Sequence, residues 1–351
     1  MSAQQIYLDH AATTPLLPQA REAWLEGAAH WANPSSPHKQ GRAARAALED
    51  ARERVKKALG WDGEVIFTSG ASEALAIGLG RAKAVRRLVS AVEHDAVFRA
   101  APDAQELPMR DGEVDIDALK DALALPDRAV VAVQSVNSET GTVLLPHATS
   151  PLVERVREAG GLVLADCSQS AGKMVLPDAD MIVLSAHKLG GPIGIGALLV
   201  KDFAMIEPSG GQERGYRAGT ENLPGALGLA AALEAGGGEN WATTAEQRFE
   251  FRNALARHGE VLQPGVPCSH IFALAAPRLA ATAMLIRMDA AGFAISAGSA
   301  CSSGTLKQSR VLKRFGIAED LARRTVRVSI GWNTTPEQLD AFAEAWAKVN
   351  A

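Results

Sequence analysis

Cysteine is scarce in this chain of 351 residues, which holds three, Cys167, Cys268 and Cys301. An odd, low count without the spacing of a disulfide framework points to a reducing compartment. Blocks of basic residues are missing too. Lys and Arg number 36 against 40 Asp and Glu, a formal net charge of −4, so direct nucleic-acid binding is not expected. No stretch approaches the ~20 uninterrupted apolar residues of a membrane span. Residues 1–8 carry neither a charged leader nor an apolar segment, so no secretory signal is read there. Internal repeats and low-complexity linkers are absent. These absences together predict a soluble cytoplasmic protein, and no metal ligand set is assigned.

What the chain does have is apolar material, 47% of its residues, enough to bury a large core. Residues 38–59 read as a helix, with Ala47, Leu48, Ala51, Val55 and Leu59 at helical spacing. Short apolar runs follow at Val65–Phe67, Leu88–Val92, Ala129–Val133, Leu162–Leu164 and Met181–Leu184. Most are separated by stretches long enough for a helix, which predicts a mainly parallel sheet covered on both faces. Gly196–Val200 follows the last run after a short turn and fits an antiparallel neighbour. From about residue 237 the pattern changes to a helix over 244–258, strands at Ser269–Leu274 and Val326–Ile330, and a last amphipathic helix. Thr335 and Gln338 form a capping box for that helix and Pro336 takes its first turn. The expected organisation is a large domain over 15–236 and a smaller α+β domain over 1–14 and 237–351.

Ligands of open α/β sheets bind beyond the carboxyl ends of the strands. Each predicted strand here ends in polar groups: Thr68–Glu73, Glu93–His94, Gln134–Glu139, Asp166–Gln169 and Ser185–Lys188. One such end means little, but five converging ends predict a site. Singly, each group keeps an ordinary reading. The turn at 68–72 suits a phosphate, or is a plain serine helix cap. Asp166 is a helix cap, a surface carboxylate or a partner for a protonated ring nitrogen. His94 alone reads as a core histidine. The glycines at 191–196 lead into a strand rather than a helix, which excludes a dinucleotide fingerprint.

Lys188 discriminates among these readings. It ends an apolar run, follows His187 and precedes Gly190 and Gly191. Desolvation and a positive neighbour would lower its pKa, and a neutral amine attacks an aldehyde. A lysine, an aspartate and a phosphate cup are the parts that pyridoxal 5'-phosphate needs. On this reading the lysine carries the cofactor and the glycines leave it room.

Ordered motifs then run almost end to end: "YLDHAATTP" (7–15), "NPSSPH" (33–38), "FTSGASEA" (67–74), "EHDAV" (93–97), "VNSETG" (136–141), "DCSQSAGK" (166–173), "SAHKLGGP" (185–192), "GGQERGYRAGTEN" (210–222), "SAGSACSSG" (296–304) and "RVSIG" (327–331). In these the chain resembles the cysteine desulfurases, in the class V aminotransferase group of fold-type I pyridoxal-phosphate enzymes. The resemblance implies a homodimeric enzyme converting L-cysteine to L-alanine. It implies that Lys188 bonds to the cofactor aldehyde, His94 stacks on the ring and helps move protons, Asp166 pairs with the ring nitrogen and Gln169 meets the ring oxygen. Ala71, Ser72, Ser185 and His187 would hold the phosphate, with Thr220 reaching that of the neighbouring subunit. Asn137 and Arg327 would hold the substrate. Cys301 would take its sulfur as a persulfide and pass it to an acceptor protein in iron–sulfur cluster assembly or tRNA thiolation.

The residues themselves support two of these roles. Arginine grips a carboxylate through two parallel hydrogen bonds, although one arginine in a strand also reads as a surface cation. Cys301 lies among Gly, Ala and Ser, the composition of an exposed, mobile loop rather than of a core. Cys167 is read as packing, and Cys268 carries no site signal. Leu75, Ile193, Gln308 and Arg310 depart from the family pattern. Rival readings are a selenocysteine lyase, an aminotransferase, which has no use for Cys301, and a non-catalytic pyridoxal-phosphate scaffold or regulator, which needs no catalytic set.

Overall fold

The computed structural model describes residues 5–147, 150–298 and 309–351. Its centre is a seven-stranded sheet. From one edge to the other the strands are Glu64–Thr68, Gly196–Val200, Met181–Ser185, Leu162–Asp166, Ala129–Gln134, Arg86–Ser90 and Gln105–Leu107. All are parallel neighbours except Gly196–Val200, which runs antiparallel to both strands beside it. The strands Ala129–Gln134, Leu162–Asp166, Met181–Ser185 and Gly196–Val200 are buried at every residue. Their side chains alternate between two cores, as a sheet covered on both faces requires. The expected parallel sheet with one antiparallel member is therefore what forms. The Leu88–Val92 run is shortened at its end, where the ladder stops at Ser90 and Ala91–Val92 turn towards His94.

Helix Lys39–Leu59 lies over one face. His38 caps it through Nδ1, which accepts from the Gly41 amide at 3.1 Å, and Gly60 ends it in the left-handed region at φ 61°. Arg52 on this helix is buried and meets the buried Glu213 carboxylate, Nη1 to Oε2 at 2.8 Å and Nη2 to Oε1 at 3.3 Å. Glu213 also accepts from the Phe67 amide at 2.9 Å, and the guanidinium lies 5.0 Å from the Phe67 ring centroid. Both carboxylate oxygens are thereby used, which a buried charge requires. The effect is to pin the 210–222 loop to the strand that leads into Thr68–Ser72.

A further core forms around the antiparallel strands Glu260–Leu262, Ile271–Ala275 and Thr325–Ser329. Phe251, Phe272, Phe293, Phe342 and Trp346 pack there, and Leu8 from the start of the chain joins them. Ile6–Tyr7 pairs with Phe293–Ala294 as a short parallel ladder. The C-terminal helix Pro336–Asn350 has the Thr335–Gln338 capping box read from its sequence. Among the described residues, no helix is long and apolar enough to cross a membrane.

Candidate active site

The first strand end builds an anion cup. Glu64–Thr68 runs into Ser69–Gly70, and helix Ala71–Gly80 begins at once. Gly70 sits at φ 151° and offers no side-chain cap, so the first-turn amides of this ten-residue helix face outward with the positive end of the helix dipole. The turn also needs Gly196. A Cβ there would lie 2.7 Å from Gly70 Cα and 2.5 Å from Leu184 O. Ala71 is half-buried and Ser72 exposed. Glu73 accepts from the Ser69 amide at 2.5 Å and from Arg217 Nε at 3.1 Å, so the 210–222 loop is fastened to the cup. Thr220, further along this loop, is exposed.

Lys188 is half-buried at the end of the single turn Ala186–Lys188, which follows Ser185. The N-terminal segment holds that turn by its backbone. Thr14 N donates to His187 O at 2.7 Å, Thr14 Oγ1 to Lys188 O at 3.2 Å and Leu17 N to Gly190 O at 2.9 Å. Here the structure corrects a reading of the sequence. A Cβ on Gly190 would meet Leu17 at 2.8 Å, and one on Gly191 would meet Ala186 at 2.9 Å. These two glycines make room for the chain itself, not for a ligand. His187 is corrected as well. Burial, then Lys188 and Lys173, lower its pKa to about 4, so it is neutral at pH 7 and is not the positive neighbour expected beside Lys188. Its Nδ1 lies 3.2 Å from Thr13 Oγ1.

His94, Asp166 and Lys188 come together. Burial lowers the His94 pKa, with Lys188 acting in the same direction and Asp166 against it. Nδ1 of His94 accepts from the Ala96 amide at 3.2 Å, which leaves the ring proton on Nε2. Asp166 is buried at the end of its strand, and Ser168 orients it through N at 2.9 Å and Oγ at 2.5 Å, both to Oδ1. Gln169 Nε2 donates to Ala11 O at 2.9 Å, while its buried Oε1 has no partner among the described residues. Such an orphan is costly unless a ligand group meets it.

Asn137 and Arg327 are the substrate candidates. Asn137 Oδ1 is fully used, accepting from Glu139 N, Thr140 N and Thr140 Oγ1 at 2.9–3.1 Å. Its Nδ2 donates once, to Val92 O at 3.2 Å, and retains a second hydrogen. Arg327 is buried and already paired, Nη2 with Asp9 Oδ1 at 2.8 Å and with Ser296 Oγ at 3.2 Å, and Nη1 with Ser138 O at 3.0 Å. Its Nε has no partner among the described residues.

Cys301 and Gln308 lie outside the described residues. Cys167 and Cys268 are buried, and burial pushes the Cys167 thiol up to about 12 and the Cys268 thiol up as well. Leu75 is buried in the core and Ile193 is exposed.

Several groups here were given no role of their own from the sequence. Glu93 is buried beside Asp166, and burial raises its pKa to about 8, with Ser90 Oγ and Gln134 N bonded to Oε1. A glutamate next to a histidine at a strand end was the available signal. Lys173 reaches the same region, lowered to about 7 first by burial. Glu139 was read only as one member of the polar end Gln134–Glu139, and its pairing, like that of Asp9, has no local signal because the partners are distant in sequence.

Three desolvated imidazoles, His10 and His270 buried and His187 half-buried, give a pH dependence. Burial lowers His10 and His270 to about 3 and His187 to about 4, against an ordinary value of 6.5. Below pH 6.5 the unfolded chain binds protons at these sites that the native state does not, so stability is lost as pH falls. Glu93 acts in the opposite sense between pH 4.5 and about 8, and Glu139 is raised too, but His94 and Lys173 are lowered alongside the three imidazoles, so the loss prevails. The thermal midpoint should therefore drop by several degrees from pH 7 to pH 5, and His270→Asn should flatten that slope. Calorimetry showing an unchanged midpoint over this interval would contradict the argument.

The arrangement fits pyridoxal phosphate: an amine for the aldehyde, a buried carboxylate for the ring nitrogen, an unmet amide oxygen and an uncapped helix start. Solved structures share this architecture. The NifS-like protein of Rickettsia africae ESF-5 superposes with a TM-score of 0.85 over 99% of both chains, at 24% identity. SspA in complex with cysteine superposes with a TM-score of 0.77 over 93% of this chain and 99% of its own, at 27% identity. The family model for class-V aminotransferases matches residues 6–342. A cysteine desulfurase of Cereibacter sphaeroides is 36% identical over 97% of this chain and 94% of its own length. The chain belongs to the aminotransferase class-V family and, within it, to the cysteine desulfurases.

Proposed function

We propose that this protein binds pyridoxal phosphate at Lys188 and catalyses L-cysteine + Cys301–SH → L-alanine + Cys301–S–SH. The observation that carries the reading is the meeting of Lys188 and Asp166 about a neutral His94, at the same sheet edge as an uncapped helix start. A similar structure determined with cysteine supports the substrate.

The bound cofactor supplies an electron sink that acidifies the substrate Cα–H and activates its side-chain sulfur. The chain's own residues do the rest. Asp166, oriented by Ser168, keeps the ring nitrogen protonated. The amides of Ala71 and Ser72, with Ser185 and His187 beside them, would hold the phosphate. Gln169 meets the ring oxygen. Arg327 Nε and the second Nδ2 hydrogen of Asn137 take the substrate carboxylate. Lys188 Nζ would take the substrate Cα proton and later return one to the product carbon. His94, with its proton on Nε2, faces the ring and takes part in that proton traffic. Cys301 as thiolate attacks the substrate sulfur, the C–S bond breaks, and the outer sulfur passes to an acceptor protein, in iron–sulfur cluster assembly or tRNA thiolation. The two separate cores support a cofactor-binding unit over 15–236 and a second unit over 1–14 and 237–351. The exposure of Thr220 fits a homodimer in which it completes the partner's phosphate site.

The test is product analysis. Purified holoprotein given L-cysteine without reductant should release about one alanine per persulfide found on Cys301, and turn over continuously once a thiol reductant is added. Pyruvate and ammonia in place of alanine would identify a lyase instead.

A further inference from the structure

Glu139 lies on the loop of Asn137, two residues further along the chain. Ser309 Oγ donates to its Oε2 at 2.5 Å. Gly298 is pressed against the same oxygen, where a Cβ would stand only 2.3 Å away. Residues 298 and 309 are the described ends of the stretch that contains Cys301. Both ends therefore meet at one carboxylate, although they are far from Glu139 in sequence. The loop holding Glu139 is itself tied into the site. Its amide donates to Asn137 Oδ1 at 3.0 Å, and the neighbouring Ser138 carbonyl accepts from Arg327 Nη1 at 3.0 Å. Arg310 adds a second fastening. Its guanidinium donates to the carbonyls of Ala91 and Glu93 at 2.5 Å each and lies 4.2 Å from the Phe98 ring centroid, so it grips the segment that presents His94. Burial raises the Glu139 pKa, with Arg327 and Arg310 opposing.

We propose that Glu139 is a positioning residue for sulfur transfer: its carboxylate joins Gly298 to Ser309 and fixes both ends of the Cys301 stretch to the loop that bears Asn137. The proposal rests on the desulfurase reading above. Gly298 belongs to this design because no side chain fits between it and Glu139. Serine at 309 belongs to it because one hydroxyl donates to Glu139 while accepting from the Leu312 amide at 3.1 Å, which caps the following helix.

The test uses holoprotein carrying Glu139→Ala, Glu139→Gln, Ser309→Ala and the Glu139→Ala/Ser309→Ala pair. Two quantities are read: kcat for alanine release, and the cysteine concentration at half of the change in cofactor absorbance. A displaced nucleophile costs turnover without weakening substrate capture. Glu139→Ala should lower kcat on the order of 10–100-fold, with the half-change concentration within about threefold of the parent. The double variant should lose no more than the worse single one, since both remove one connection. Glu139→Gln should stay within about threefold of the parent, because its amide oxygen still accepts from Ser309. Losses that multiply in the double variant, a fall in cysteine binding parallel to kcat, or an unchanged kcat in Glu139→Ala would each overturn the proposal. If Glu139→Ala does not fold, Ser309→Ala breaks the same bond and reads the same two quantities. Failure of the underlying reading looks different, because the parent protein itself would then release no alanine.

Discussion

Lys188→Ala should leave a protein that folds, loses its visible cofactor band on gel filtration and forms alanine at least ~10³-fold more slowly than the parent. Two functions fall together. The side chain is the proposed covalent anchor, and its amine is the base at the substrate Cα. The fold should survive, because the turn is held through the backbone, by Thr14 at the carbonyls of His187 and Lys188. The competing amine is Lys173, lowered to about 7 by burial and therefore partly neutral at pH 7. Borohydride reduction followed by peptide mapping separates the two, and the label should fall on the peptide containing Lys188. A label on Lys173 would overturn the assignment of the anchor. Removing Lys188 should also raise the pKa of His94 and His187, since its charge helps lower both.

Much of the large sheet was legible because burial on both faces writes a strand as an unbroken apolar run. The Met181–Ser185 and Leu162–Asp166 strands show this directly, and the polar residues that follow each are the site. The edge strand Gln105–Leu107 was not legible. Only Leu107 of its three residues is buried, and one buried side chain makes no pattern. Ile6–Tyr7 was missed for another reason, since its partner Phe293–Ala294 is nearly the whole chain away. The same distance hides the polar wiring. Asp9 with Arg327, Ser309 with Glu139, and Arg310 with Ala91 join the two ends of the chain to its middle, and no local spacing predicts them. Arg310, noted only as a departure from a family pattern, proves to be a clamp on the residues before His94. The glycines after Lys188 show the converse limit. Composition announced a close approach but not what approaches, and that is Leu17.

Cys301→Ala should abolish alanine formation, by ~10³-fold or more, while leaving the cofactor in place. Cys167 and Cys268 are buried, and burial pushes both thiols up, Cys167 to about 12. Neither is a thiolate at neutral pH, and only a thiolate is a competent nucleophile towards sulfur. Cys301 is the third and last cysteine of the sequence. Its proposed task is a single step, attack on substrate sulfur that the cofactor has already activated. Nothing in that task bears on holding pyridoxal phosphate or on capturing the substrate amine. The variant should therefore stay yellow and still change its absorbance when cysteine is added. Cys301→Ser should be about as inactive, because a hydroxyl is far less ionised at neutral pH than a thiol of pKa ~8.5. Cys167→Ala and Cys268→Ala should keep most of the activity and lose stability by ~1–3 kcal/mol, as core truncations do. The decisive comparison is alanine release by the three alanine variants under one set of conditions. Near-parental alanine release by Cys301→Ala would mean that a thiol other than Cys301, such as the added reductant or a second cysteine, takes the sulfur, whereas a β-elimination would give pyruvate, ammonia and free sulfide in place of alanine.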